Sequence, residues 1–87
     1  MPRFYLHVCN GNGFVEDEEG ADLPDAEAAR LRAIEGLRDL LASELRDGEL
    51  NMASFIEIED ENHLLVTTVP FMDAVQVTTR HGKRPGR

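Results

Sequence analysis

The chain has 87 residues, of which 30% are charged and 41% hydrophobic, and its formal net charge is −8 at pH 7. This length suits one small domain with a modest core. The negative charge argues against nucleic acid as the main partner, because phosphates would be repelled. A single cysteine, Cys9, excludes an internal disulfide framework and fits a reducing compartment. No stretch resembles a signal peptide or reaches transmembrane length, so we expect a soluble cytoplasmic protein without a membrane partner.

The N-terminal part of the chain predicts a β-hairpin followed by an acidic loop. Residues 3–9, RFYLHVC, alternate in the period of a half-buried strand. The Asn-Gly pairs of residues 10–13 are a strong hairpin signal, and a short returning strand begins at Phe14. The carboxylates of residues 16–22 favour a solvated turn over a cation site or a docking patch for a basic partner.

Residues 25–47, DAEAARLRAIEGLRDLLASELRD, predict a long amphipathic helix, and we expect no other helix in the chain. Their hydrophobic residues recur at three- and four-residue spacing. Asp25 is the expected N-cap, and Gly48 is placed to end the helix in the left-handed conformation. Gly36 interrupts good helix formers, either as a tolerated irregularity or because another backbone approaches closely there.

A second hairpin is predicted after the helix. Residues 54–59 and 64–69 alternate as strands around a turn in which Asn62 is the residue best suited to a left-handed conformation. This turn would align Ile58 with Leu65 and Ile56 with Thr67. We expect the connector side chains Leu50 and Met52 to fold back on the helix end.

The C-terminal residues divide into a docked segment and a tail. Residues 71–79 contain several hydrophobic side chains and should dock as a short strand or turn. Residues 80–87, RHGKRPGR, are basic and lack hydrophobic side chains, so we expect a disordered tail. The predicted architecture is therefore α+β and spans residues 1–79. Two β-hairpins form one antiparallel sheet, and a single long helix packs on one face in the order β-β-α-β-β.

Several segments together resemble a family of short bacterial proteins known as a domain of unknown function, number 6894. They are MPRFYLHV, DEEGADLPDAEAAR, LLASEL, IEIEDENHLL and TVPFMDAV, and the resemblance spans residues 1 to 78. The family usually has glycine where Asn62 stands. The resemblance implies a fold and a bacterial host but no activity. Residues 4–45 are also weakly similar to HicB-type antitoxins, at the level of fold only.

No convergent set of residues predicts catalysis, a cofactor or a metal. His7 and Cys9 share a strand face, and His63 and His81 could add nitrogen ligands. The chain nevertheless has no paired ligand spacing typical of zinc, and nothing supplies an oxyanion site beside Cys9. We therefore expect a protein that is not an enzyme, with His7 and Cys9 as partly buried structural residues.

Arg30 stands out because it lies within the hydrophobic stripe of the predicted helix. A guanidinium on this side needs an anion, since an unpaired buried charge is costly. The candidate partners are Asp17, Glu18, Glu57 and Glu59. An internal ion pair is favoured over a ligand-binding arginine.

The sheet face opposite the helix is the candidate interface. The predicted register places five large side chains on it: Tyr5, His7, Phe55, Leu64 and Val66. Either residues 71–77 fold over this face or a second subunit does, and we favour a symmetric homodimer. We expect a non-enzymatic protein-interaction module. The alternatives are a small regulatory or antitoxin-like protein that masks a basic partner, and a small-ligand or metal-binding protein.

Overall fold

The computed structural model describes residues 1–10 and 13–79, and it confirms the α+β fold class. Within those residues, five strands form one antiparallel sheet with a long helix packed on one face. Part of the predicted Asn-Gly turn (residues 11–12) and the predicted disordered tail (residues 80–87) lie outside the described residues. In chain order the elements are β1 (Arg3–Asn10), β2 (Gly13–Val15), β3 (Ala21–Asp22), α1 (Ala26–Arg46), β4 (Phe55–Glu59), β5 (Leu65–Pro70) and α2 (Phe71–Ala74).

The two hairpins meet at β1 and β4, which form the centre of the sheet. The strand order is β2-β1-β4-β5, and β3 pairs with β1 along the edge that β2 also occupies. Residues opposite each other share a face, so Leu6 and Ile58 lie on the helix side, whereas His7 and Glu57 lie on the other side. We call this second side the outer face. The buried core consists of Phe4, Leu23, Ala29, Ala33, Ile34, Leu37, Leu41, Ile56, Ile58, Val69, Phe71 and Ala74.

Helix α1 begins and ends where the sequence predicts. The Asp25 carboxylate accepts a hydrogen bond of 2.8 Å from a backbone N–H of the first turn, as an N-cap should. At the other end Gly48 has a φ of 85°. The N–H groups of Gly48 and Glu49 donate to the carbonyls of Leu45 and Glu44, which is the Schellman arrangement.

The end of α1 extends beyond the sheet. Its buried stripe stops at Leu41, although the helix continues for more than a turn. Leu50 and Met52 do not fold back on it, because they are 41% and 54% exposed, so that prediction is wrong. A polar contact holds this corner instead, since the Asn51 N–H donates to the Glu44 carboxylate at 3.0 Å.

Residues 71–74 form a second helix, α2, so the expectation of a single helix is wrong. Pro70 immediately precedes it, and proline suits a helix start because the missing N–H would have no intrahelical partner there. Phe71 and Ala74 are buried in the same core as α1, and the Arg38 guanidinium donates to the Ala74 carbonyl at 2.6 Å. Helix α2 therefore packs on the same side of the sheet as α1.

Strands β4 and β5 pair in a register that differs from the predicted one. Ile58 lies opposite Thr67 rather than Leu65, and the partner of Ile56 is displaced by the same two residues. A β-bulge next to Glu59 then brings Leu65 opposite that residue. The predicted register is therefore wrong, although the hairpin and its antiparallel direction are present.

The turn of this hairpin explains the displaced register. His63, not Asn62, adopts the left-handed conformation, with a φ of 63°. The Asp60 carboxylate accepts hydrogen bonds from the N–H groups of Asn62 and Leu64 at 2.8 and 3.0 Å. The Asp60 N–H donates to the Leu64 carbonyl at 2.9 Å, so the loop closes between these two residues.

Gly36→Ala is expected to stabilise the fold. Gly36 is exposed on α1, and an added Cβ would meet only the Ile56 Cδ1 atom, at 4.0 Å, so no other backbone approaches closely there. Alanine loses less backbone entropy in a helix, and the free energy of unfolding should rise by about 1 kcal/mol in urea denaturation. Ala42 is also exposed on α1, and Ala42→Gly should lower this free energy by a similar amount. A loss of stability in Gly36→Ala would contradict the expectation.

Candidate interaction surface

The outer face combines residues from four strands. The pairing of β1 with β4 places Tyr5, His7 and Cys9 opposite Glu59, Glu57 and Phe55. Thr68 of β5 lies opposite Glu57 on one side, and Phe14 of β2 lies opposite Cys9 on the other. Three of the candidate interface residues, Tyr5, His7 and Phe55, are thus on this face. The other two lie at its β5 side, Leu64 just before the strand and Val66 in the bulge.

Neither helix covers the outer face, because both pack into the core on the opposite side. Hydrophobic side chains flank the face at both edges: Phe14 is 55%, Leu64 64%, Leu65 61% and Val66 40% exposed. The open face of an antiparallel sheet is usually polar throughout. Exposed hydrophobic groups around carboxylates are instead typical of a contact surface.

His7 lies at the centre of this face with only 3% of its surface exposed. The Asp17 backbone N–H donates to Nδ1 at 3.0 Å, so Nδ1 is an acceptor and the proton of the neutral ring is on Nε2. Nε2 donates to Glu59 Oε1 at 2.9 Å. Both nitrogens are therefore engaged, and the ring links the acidic loop to β4. This arrangement leaves no lone pair of His7 to activate Cys9 or to bind a metal.

Glu59 also binds a second histidine. His63 Nδ1 lies 3.3 Å from Glu59 Oε1, and its ring stacks on Tyr5 with 4.6 Å between ring centroids. The hydrogen bond from His7 lowers the pKa of Glu59 below its ordinary value, against the effect of desolvation, and His63 lowers it further. Because His63 contacts both Tyr5 and Glu59, its left-handed turn is anchored to the outer face.

Asp17 closes the edge of β1 between β2 and β3. Its carboxylate accepts hydrogen bonds from Leu6 N–H at 3.0 Å, Gly20 N–H at 3.0 Å and Glu19 N–H at 3.3 Å. Burial alone would raise the pKa of Asp17, but the three donors together lower it below its ordinary value. This side chain therefore takes the place of a strand partner for Leu6 and fixes the acidic loop.

Arg30 does not pair with any of the four predicted carboxylates. Its guanidinium lies 3.8 Å from Glu27 and 4.0 Å from Asp73, and its side chain is 40% exposed. The predicted partners are wrong because α2, which the sequence analysis missed, brings Asp73 next to α1. Both contacts are long and solvated, so they contribute little to stability. Glu18 is exposed, and it makes no ion pair within residues 1–10 and 13–79.

Glu57 is half-buried in the middle of the outer face. No hydrogen bond or ion pair joins its carboxylate to any residue in the described part of the chain. Its Cα partners are His7 and Thr68, neither of which offers it a charge.

Burial, with a smaller contribution from Glu57, raises the pKa of the Cys9 thiol. A raised pKa reduces the thiolate fraction at neutral pH below that of an ordinary thiol.

The metal hypothesis finds no support in this arrangement. Across residues 1–10 and 13–79, no three His, Cys, Asp or Glu side chains are placed to hold a metal ion. His7 and His63 approach the same oxygen of Glu59, but His7 presents its N–H there.

In the same part of the chain, no helix has the length and hydrophobicity needed to cross a membrane.

Phe14, His63 and Leu65 are parts of the surface that sequence reasoning missed. A two-residue hairpin loop after Asn10 would have placed Phe14 opposite Cys9, so the Asn-Gly signal contained that information. Leu65 and His63 depend on the bulge and on the left-handed turn. Neither feature has a clear signal in the sequence, because asparagine normally outranks histidine at such a turn.

These features define a small α+β protein in which both helices of the described residues pack on the same face of the sheet. The sequence model of DUF6894, a domain of unknown function, matches residues 3–72, so the chain belongs to this family. The resemblance noted from the sequence is thereby confirmed. Neither the curated proteins nor the solved structures include a match to the chain.

Proposed function

We propose that the protein is a non-enzymatic protein-interaction module and that its outer sheet face is the binding surface. The observation that carries this proposal is that both helices pack on the opposite side, while Phe14, Leu65 and Val66 remain exposed. The engaged nitrogens of His7 and the raised pKa of Cys9 support a binding role over catalysis. The proposed setting is the cytoplasm, where a lone free cysteine stays reduced.

A basic protein segment fits this face better than a second copy of the chain. A two-fold axis through the face would bring the carboxylates of Glu57 and Glu59 in one copy towards those of the other, and like charges repel. An arginine or lysine next to Glu57 would instead pair a carboxylate that has no hydrogen bond or ion pair within residues 1–10 and 13–79. This charge pattern favours the second candidate function, a small regulatory protein that masks a basic partner in the manner of an antitoxin.

The proposal is tested by affinity capture from a bacterial host that encodes the protein. Phe14→Ser combined with Val66→Lys alters both edges of the outer face, whereas Leu31→Ser alters α1 at a residue that is 52% exposed. We expect a protein captured by the wild type and by Leu31→Ser to be reduced at least tenfold with the double variant, as quantified by mass spectrometry. Equal capture by all three baits would refute the outer face as the binding surface.

The basic character of the partner is tested by removing one charge. Glu57→Gln keeps the shape of the side chain and should weaken binding of the captured protein about tenfold, with a reduced dependence on salt. Glu18→Gln is the matched control, because that exposed carboxylate lies in the acidic loop. If Glu18→Gln weakens binding and Glu57→Gln does not, the partner recognises the loop rather than the face.

A further inference from the structure

The two edges of the sheet differ in how they are protected against pairing with a further strand. On the β1 side the outermost strands, β2 and β3, are only three and two residues long, and the Asp17 carboxylate accepts the Leu6 N–H between them. Short strands and side-chain caps are common protections against unwanted strand pairing. On the other side β5 is outermost, and no strand among the described residues pairs with its far edge.

Strand β5 lacks the usual protection along its middle. Its sequence, LVTTVP, contains no charged residue. The bulge at Val66 stands at one end and Pro70 at the other, so residues 67–69 form a regular strand between them. Valine and threonine favour extended pairing, and Thr68 is exposed. A lysine, a common guard of free edges, is absent from the strand.

We infer that β5 pairs antiparallel with β5 of a second copy, which joins the two sheets across a two-fold axis. A second copy is the occupant that this uncharged edge favours, because the strand can pair with its own copy. Each chain has a net charge of −8, so two copies repel over most of their surfaces, and β5 offers an approach without charges. Identical strands related by a two-fold axis run antiparallel, which makes the edge complementary to itself.

The resulting homodimer should be weak. A ladder of about three residues buries less than a standard interface. We expect a dissociation constant on the order of 10–100 µM. The inference rests on the proposed interaction function but uses a different surface. Pairing at the edge leaves both outer faces free, so the dimer would present two binding surfaces to a repetitive partner.

Sedimentation equilibrium over a range of concentrations tests the pairing. The wild type should change from a 9.7 kDa monomer to a species of twice that mass as the concentration rises. Thr68→Lys places a charge on the edge strand, where lysine commonly prevents pairing with another strand. The new ammonium group lies next to the Glu57 carboxylate of the same molecule, so we expect the fold to be kept while the dimer is lost. Phe14→Ser, at the opposite edge of the sheet, should dimerise like the wild type.

Amide hydrogen exchange locates the contact independently of the variants. Protection of residues 67–69 should increase with protein concentration, and protection of residues 13–15 should not. A wild type that remains monomeric up to about 1 mM would overturn the inference. A dimer that persists in Thr68→Lys and disappears in Phe14→Ser would move the contact to the outer face. If the wild type proves monomeric, the capture experiment with the outer-face variants still tests the proposed function independently.

Discussion

Gly20→Ala is expected to lower the free energy of unfolding by about 3 kcal/mol. Gly20 has a φ of 73°, and a Cβ built there would lie 2.9 Å from the backbone oxygen of Phe4 and 3.0 Å from the ring of Tyr5. A flexible side chain could move away, but the Phe4 carbonyl belongs to the central strand β1. The added methyl group must therefore displace the acidic loop, and the loss should appear as a lower urea midpoint.

Gly48 provides the matched control for this substitution. Its φ of 85° is also left-handed, but an added Cβ would have no atom within 4 Å. Gly48→Ala should therefore lose only the conformational preference of glycine, about 1 kcal/mol. The difference between the two variants measures how tightly the loop packs on β1. Equal losses would show that the close contact at Gly20 relaxes without cost.

Asp17→Asn should lower the free energy of unfolding at pH 7 by about 2 kcal/mol. The carboxylate accepts three backbone N–H groups through its two oxygens. An asparagine can accept through one oxygen only, and its NH₂ group would face a donor. The Leu6 N–H or the N–H groups of Glu19 and Gly20 would then lose their partner. Chemical denaturation monitored by circular dichroism measures the change.

The same residue should affect how stability depends on pH. The folded-state pKa of Asp17 lies below its ordinary value of 3.8, so the unfolded chain takes up the proton first as the pH falls. The stabilisation from Asp17 is therefore complete above about pH 5 and is lost as the pH falls through the folded-state pKa. Asp17→Asn should start from a lower stability and decline less steeply below about pH 4.

Two further carboxylates keep part of the pH dependence in this variant. A hydrogen bond and ion pair with Arg3 lower the pKa of Asp22, and the contact with His7 lowers that of Glu59. Glu18→Gln is the control, because this carboxylate is exposed; its stability should follow the wild-type curve. Parallel curves for Asp17→Asn and the wild type would show that Asp17 does not contribute to acid unfolding.

The elements of this fold could be predicted from sequence where local signals agree. Helix α1 has a periodic hydrophobic stripe and a cap at each end, and both Asp25 and Gly48 act as predicted. The register of the second hairpin could not be predicted, because it depends on the bulge and on a left-handed His63. A positive φ at histidine is uncommon, and here the contacts of the ring with Tyr5 and Glu59 support it.

The candidate surface could be predicted only in outline. Strand alternation alone places Tyr5, His7 and Phe55 on the face away from the helix. The partners of Arg30 could not be predicted in this way. Asp73 lies near Arg30 because residues 71–74 form helix α2, and a helix of four residues leaves little periodicity in the sequence. The two bonds of His7 also depend on tertiary structure, since Asp17 and Glu59 come from different parts of the chain.

The unequal edges of the sheet limit how far the protein can assemble. A sheet with two open edges can add strands at both ends and grow into a fibril. Here β2 and β3 are short and Asp17 caps the edge between them, so we expect pairing at one end of the sheet only, that of β5. Once two such ends meet, neither remains for a third molecule. On the other side a further molecule would find only the short strands β2 and β3, and the Asp17 carboxylate already occupies the Leu6 N–H, so we expect assembly to stop at two copies.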